Sequence, residues 1–193
     1  MNSVAVYCGS SAGANPAYVA QAQVLGAALA AQNLTLVYGG GRVGLMGALA
    51  DAVLTHGGRV VGVIPTFLAD KELAHTGCTE LHVVGSMHER KLLMADRADA
   101  FIAMPGGYGT LEELFEVLTW GQLGLHCKPV GLLNVAGFYD HLLGALDRMR
   151  DDQLLRPENR SALLEDSSPA GLLVKLADYR PAQVEKWLDP STT

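Results

Sequence analysis

The chain has 193 residues, 49% of them hydrophobic and 18% charged, with 22 glycines and a formal net charge of −6. That length and apolar content suit one compact α/β domain with a real core and exclude a disordered chain. The acidic balance argues against a general nucleic-acid or anionic-membrane surface, so any phosphate must be held by a local site.

In chain order, short β-branched runs alternate with segments of helical period. "VAVYC" (Val4–Cys8) predicts a first strand, and Asn15–Gln32 an alanine-rich helix with Pro16 at its start. "LTLVYGGG" (Leu34–Gly41) predicts a second strand running into glycines, followed by a helix over Leu45–Thr55. Strands follow at Arg59–Pro65 and Glu80–Gly85, separated by an irregular stretch, Thr66–Thr79, which reads equally as a functional loop or a plain lid over a helix end. A helix is expected over Met87–Arg97, a strand over Ala100–Gly107 and a helix over Thr110–Leu123. A sixth strand, Lys128–Asn134, precedes a helix over Tyr139–Arg150. Beyond Arg150 the chain turns polar, with a short helix over Pro169–Asp178. The expected architecture is therefore a mainly parallel sheet of about six to seven strands with helices on both faces, built by right-handed crossovers. One domain is expected over residues 1–180, with a polar tail from 181 to 193.

Cys8, Cys78 and Cys127 are odd in number and lack CxxC or Cys/His ligand spacing, which speaks against a disulfide framework or structural zinc. The opening "MNSVAVYCGS" has no basic stretch before its short apolar run, and no segment reaches bilayer length. The cytoplasm is the expected location.

Three predicted strand ends carry small residues: "CGSS" (Cys8–Ser11), "GGGRVGLMG" (Gly39–Gly47) and "PGGYGT" (Pro105–Thr110). In an open parallel sheet ligands bind beyond the carboxyl ends of the strands, and a glycine loop entering a helix offers free N–H groups to an anion. Three such loops at one edge point to a phosphate or nucleotide pocket. Gly39-x-Gly41-x-x-Gly44 matches the dinucleotide fingerprint in form only. The next strand, "VVGVIPTFL", brings no acidic residue for ribose, and neither glycine cluster leads into the Lys-Ser/Thr pair of a P-loop.

The motifs "MHERK" (Met87–Lys91) and "PGGYGTLEE" (Pro105–Glu113), with "GGGRVGLMG" and "CGSS", strongly resemble the LOG ("Lonely guy") family. These are the cytokinin riboside 5′-monophosphate phosphoribohydrolases, often mislabelled lysine decarboxylases. The resemblance runs from about Val4 to Arg150 with the motifs in order. It implies a Rossmann-like fold, a homodimer, no metal or organic cofactor, and cleavage of AMP or prenylated AMP into free base and ribose 5-phosphate. Carried over by motif position, the catalytic pair falls on Arg90 and Glu113. Substrate-binding positions fall on Lys91, on Gly106, Gly107, Tyr108, Gly109, Thr110 and Glu112, on Thr119, and on Glu72 in the long loop.

The residue chemistry fits that expectation. Glycosidic cleavage builds positive charge on the sugar, so a nucleotide needs an anion cradle and carboxylates side by side. The amides of Gly106, Gly107, Gly109 and Thr110 suit a 5′-phosphate at a helix N-terminus, with Ser10 and Gly40 in the neighbouring glycine loops. Adjacent helical residues point about 100° apart, so Glu113 is assigned to water activation and charge stabilisation, and Glu112 to a ribose hydroxyl. Arg90 either steers the phosphate or polarises the leaving base. Lys91 adds phosphate attraction, Met87 is placed at the base, and Arg97 is either a reserve cation or an ion-pair partner of Asp99. Three other readings are open: a nucleosidase acting on a broader range of nucleoside monophosphates, a pyridoxal-dependent lysine decarboxylase, although no lysine here sits in a recognisable cofactor motif, and a nucleotide-binding or carrier module.

Overall fold

The computed structural model describes residues 1–69 and 74–181. Seven strands form one sheet: β1 (Ser3–Tyr7), β2 (Thr35–Tyr38), β3 (Val60–Pro65), β4 (Glu80–Val84), β5 (Ala100–Ala103), β6 (Val130–Leu133) and β7 (Leu163–Asp166). Their order is β4-β3-β2-β1-β5-β6-β7, and every pairing between them is parallel. The helices are α1 (Pro16–Ala31), α2 (Gly44–Thr55), α3 (Thr66–Ala69), α4 (Met87–Asp96), α5 (Tyr108–Gln122), α6 (Asp140–Asp151), α7 (Pro157–Ala162) and α8 (Pro169–Asp178).

Alternation along β1 sorts these helices onto two faces. Val4, Val6 and Cys8 pack in one core with residues of α1, α2 and α8. Ala5 and Tyr7 pack in a second core with residues of α4, α5 and α6. The central strands are buried on both sides, which explains their unbroken apolar runs. The chain leaves β1 for α1 on one face and β5 for α5 on the other. A crevice therefore opens between the carboxyl ends of β1 and β5, where the strand order reverses.

Capping explains where α1 begins. Asn15 accepts the Ala17 N–H at 3.0 Å and Pro16 occupies the first turn. Its packing on α2 depends on Gly26, where an added Cβ would lie 2.7 Å from Ala52 Cβ and 2.8 Å from the Leu49 carbonyl oxygen. Gly26→Val should cost about 2 kcal/mol through overpacking, lowering the melting temperature by about 4–8 °C in a chain this size. A thermal melt followed by circular dichroism checks this.

The structure adds α7 and β7, two short elements that the polar composition after Arg150 conceals. It also ends β2 at Tyr38 and β5 at Ala103, releasing the glycines that follow into loops, and it starts α5 two residues early, at Tyr108. Of the expected tail only Pro181 is described; residues 182–193 lie outside the described residues. Among the described residues no helix is long and apolar enough to cross a membrane.

Candidate active site

The three glycine loops meet at the crevice and are tied together by backbone bonds. Gly9 N–H donates to the Pro105 carbonyl at 3.1 Å, and Leu45 N–H donates to the Gly9 carbonyl at 3.1 Å. Side chains would pry them apart. A Cβ on Gly106 would run into Thr110 Oγ1 and come within 2.9 Å of Gly9 N, and one on Gly44, whose φ is +62°, would strike the Ser10 carbonyl. Gly107 caps α5 without a side-chain acceptor. The amides at the start of α5 are therefore open to an anion, and they lie at the positive end of a 15-residue helix. A Cβ at Gly107 or Gly109 would meet open space, as expected at the rim of a cleft.

The cleft measures about 290 Å³. β1 contributes Tyr7, Cys8 and the Gly9–Ser10 turn, and α5 contributes Thr110, Glu112 and Glu113. Its apolar wall is three methionines, Met46 from α2 and Met87 and Met94 from α4. Met87 and Met94 are two turns apart and so share one face of α4, with Arg90 between them. Arg90 is buried and held at three points. Its Nε donates to the Val63 carbonyl at 3.2 Å, Nη2 to the Gly39 carbonyl at 3.0 Å, and Nη1 to Met87 Sδ at 3.7 Å. The guanidinium is thus fixed against the carbonyl ends of β2 and β3 while facing the cleft.

Glu113 lies half-buried in the same cleft, and burial pushes its carboxyl up to about 7. The Arg90 cation opposes that rise, Glu112 adds to it, Lys91 opposes it and Glu116 adds to it. A carboxyl that titrates near neutrality, in a cleft shared with a fixed cation, suits proton transfer. Cys8 is pushed the other way from reactivity, its thiol raised well above the usual range mainly by burial.

Several expected site residues are placed elsewhere. Lys91 does not line the cleft: its buried ammonium is clasped by Glu112 Oε1 at 2.5 Å and Glu116 Oε1 at 3.0 Å. Burial works against that charge, but the two carboxylates together outweigh it and raise the Lys91 pKa. Gly40 does not line the cleft. Its φ of +75° turns the chain, its carbonyl accepts His75 N–H at 2.9 Å, and Gly39 takes its place at the cleft. Arg97 ends α4 at the opposite edge of the sheet, 3.4 Å from Glu80 at the start of β4. Asp99, its other suggested partner, instead accepts the Ser3 N–H. Thr119 bonds back to the Phe115 carbonyl at 2.7 Å and lines a separate apolar cavity of about 180 Å³ between α5, β6 and α7. Tyr108 is 94% exposed and stands at the cleft rim as the first residue of α5. Glu72 lies outside the described residues.

Tyr7, Met46 and Met94 line the cleft and Glu116 holds Lys91 beside it, and none of the four was expected at the site. The last two carry a readable signal: Met94 repeats Met87 at seven, and Glu116 repeats Glu112 at four. The first two carry none, since their neighbours are set by strand order.

A family described as "Possible lysine decarboxylase" matches residues 46–176. A rice (Oryza sativa subsp. japonica) protein named "Probable cytokinin riboside 5'-monophosphate phosphoribohydrolase LOGL9" is 51% identical over 92% of this chain and 78% of its own length. The Arabidopsis thaliana "Cytokinin riboside 5'-monophosphate phosphoribohydrolase LOG1" is 48% identical over 92% of this chain and 84% of its own. Among solved structures, the molybdenum cofactor binding protein of Rippkaea orientalis superposes with a TM-score of 0.69, covering 92% of this chain and 96% of its own. At 23% identity that likeness shows the shared Rossmann-like fold alone.

Proposed function

This chain belongs to the LOG family of cytokinin riboside 5′-monophosphate phosphoribohydrolases, and from that premise we propose that Glu113 and Arg90 carry its reaction in the cleft between β1 and β5. The enzyme hydrolyses the N-glycosidic bond of a nucleoside 5′-monophosphate, releasing free base and ribose 5-phosphate. The observation that carries the assignment is the uncapped N-terminus of α5 opening into the same cleft as Glu113, whose carboxyl titrates near 7.

In this reading the amides of Gly107 to Thr110 hold the 5′-phosphate, with Ser10 facing it from the β1 loop. Glu112 and Glu113 stand beside the ribose. Ionised Glu113 takes a proton from water as the water oxygen bonds to C1′, while the C1′–N electron pair leaves with the base; the proton held by Glu113 then passes to that base nitrogen, which releases the neutral base and restores the carboxylate. The carboxylate also stabilises the positive sugar. The Arg90 guanidinium stabilises the negative charge that develops on the leaving base, or pairs with the phosphate. The methionine wall supports an adenine with an apolar N6 substituent, because thioether side chains adapt to irregular apolar shapes. A panel of prenylated and plain nucleoside monophosphates tests this: kcat/KM should favour the prenylated ones at least tenfold, and equal values would contradict it.

The working pH follows from Glu113. Below its pKa the carboxyl is protonated and cannot accept a proton, so kcat/KM should climb with pH through a midpoint near 7 and then level. A pH–rate profile with its acid limb at the ordinary carboxylate value would contradict the assignment. Against pyridoxal chemistry, Lys91 is already clasped by two carboxylates. Lysine incubated with the protein and pyridoxal phosphate should yield no amine.

The homodimer reading draws support from the half-exposed Phe115 on α5 and the apolar cavity beside it; a monomeric mass at micromolar concentration would contradict it. A cytoplasmic location and a single domain over residues 1–180 complete the reading. Three free cysteines support the first, and one continuous seven-stranded sheet supports the second.

A further inference from the structure

The clasp of Lys91 between Glu112 and Glu116 is the feature that the proposed reaction leaves unused. Lys91 and Arg90 are neighbours on α4, and Glu112, Glu113 and Glu116 share α5. The Lys91 side chain is 9% exposed, and its two bonds join one helix to successive turns of the other. Glu116 is itself only 23% exposed at the side chain, so this is no loose surface pair. Glu112 Oε1 and Glu116 Oε1 approach the same ammonium four residues apart, which fixes both the distance and the rotation of α5 relative to α4.

We propose that Glu116, which does not line the cleft, is a positioning residue for the hydrolysis: through Lys91 it sets the rotation of α5 that presents Glu113 to the cleft opposite Arg90. The inference rests on the phosphoribohydrolase reading. It also has an electrostatic side. The charged groups facing Glu113 are Arg90 and Lys91 from α4 and Glu112 and Glu116 from α5, with Tyr7 and Cys8 facing it from β1 as neutral groups. Glu116 opposes the ionisation of Glu113 and Lys91 favours it. Removing one or the other must move the acid limb of the rate profile in opposite directions.

The test uses the full chain with AMP or a prenylated AMP as substrate, and the variants E116Q, E116L and K91M. E116Q keeps an oxygen to accept from Lys91 but loses the charge. Its kcat should fall on the order of tenfold with KM changed less than about twofold, as expected for a misaligned reacting group rather than a lost substrate contact. E116L, which loses the bond as well, should fall further. The acid limb should move to lower pH in E116Q and to higher pH in K91M. An E116Q enzyme with the parent's kcat, or limbs unmoved in both E116Q and K91M, overturns the proposal. Where E116Q fails to fold, E116L takes its place with the same limb direction, and an E116L enzyme with the parent's kcat then overturns the proposal; where K91M fails to fold, E116Q decides alone. A parent without any turnover removes the hydrolase reading and the positioning role with it. A working parent with an indifferent E116Q removes the positioning role alone.

Discussion

Replacing Glu113 by glutamine should lower kcat about a thousandfold and, at pH 8, make the protein more stable. The first effect is the loss of a positioned base, for which general acid–base catalysis sets a range of about 10²–10⁴. The second follows from the same burial. A carboxyl that ionises at an ordinary 4.5 when unfolded, but near 7 when folded, favours the unfolded chain once it is charged. The penalty is absent below pH 4.5, where both states hold the proton. It grows as pH rises and is complete above about 7. A displacement of that size corresponds to about 3 kcal/mol, and partial exposure trims it to about 2 kcal/mol. Thermal melts should show the Glu113→Gln variant gaining about 4–8 °C on the parent between pH 4.5 and pH 8. A variant whose relative stability ignores pH would mean that Glu113 is not held in a dry site.

Arg90→Ala should be nearly as damaging to activity, lowering kcat/KM about a thousandfold. Unlike Glu113→Gln it should also destabilise. The guanidinium donates to the Val63 and Gly39 carbonyls, and its loss leaves both acceptors without that donor, costing about 2 kcal/mol. It also removes the cation that favours ionised Glu113, so the remaining activity should have its acid limb displaced to higher pH. Arg90→Lys keeps the charge but cannot reach Val63, Gly39 and Met87 together from one ammonium. It should recover less than a tenth of the parent activity, and a fully active Arg90→Lys enzyme would show that charge alone suffices. Steady-state kinetics on the three proteins checks this.

The alternation of apolar strands and helices was legible because the central strands, β1, β2, β3, β5 and β6, are covered on both faces and read as continuous runs. The phosphate cradle was legible for a related reason. Gly106 and Gly44 occupy positions where a side chain would strike a neighbouring loop, so small residues cluster visibly at the strand ends. Distances across elements were not legible. Arg97 is the C-cap of α4, whose first turns and Met94 reach the cleft, and it lies at the other end of the helix beside Glu80. Thr119 is likewise carried into the second cavity. The setting of Lys91 was hidden for a different reason. A lysine beside a phosphate motif suggests phosphate, and only the packing of α4 on α5 reveals that two carboxylates already hold it. The strand β7, half polar and four residues long, lacks the apolar run that marks the central strands.

The arrangement at the heart of this account is an anion cradle of main-chain amides next to a half-buried carboxyl. A crystal of the Glu113→Gln variant soaked with a nucleoside 5′-monophosphate tests it most directly. The account predicts phosphate oxygens within hydrogen-bond distance of the amides of Gly107 to Thr110, and C1′ facing the introduced side-chain amide. Phosphate bound elsewhere, or that side-chain amide turned away from the sugar, would contradict it.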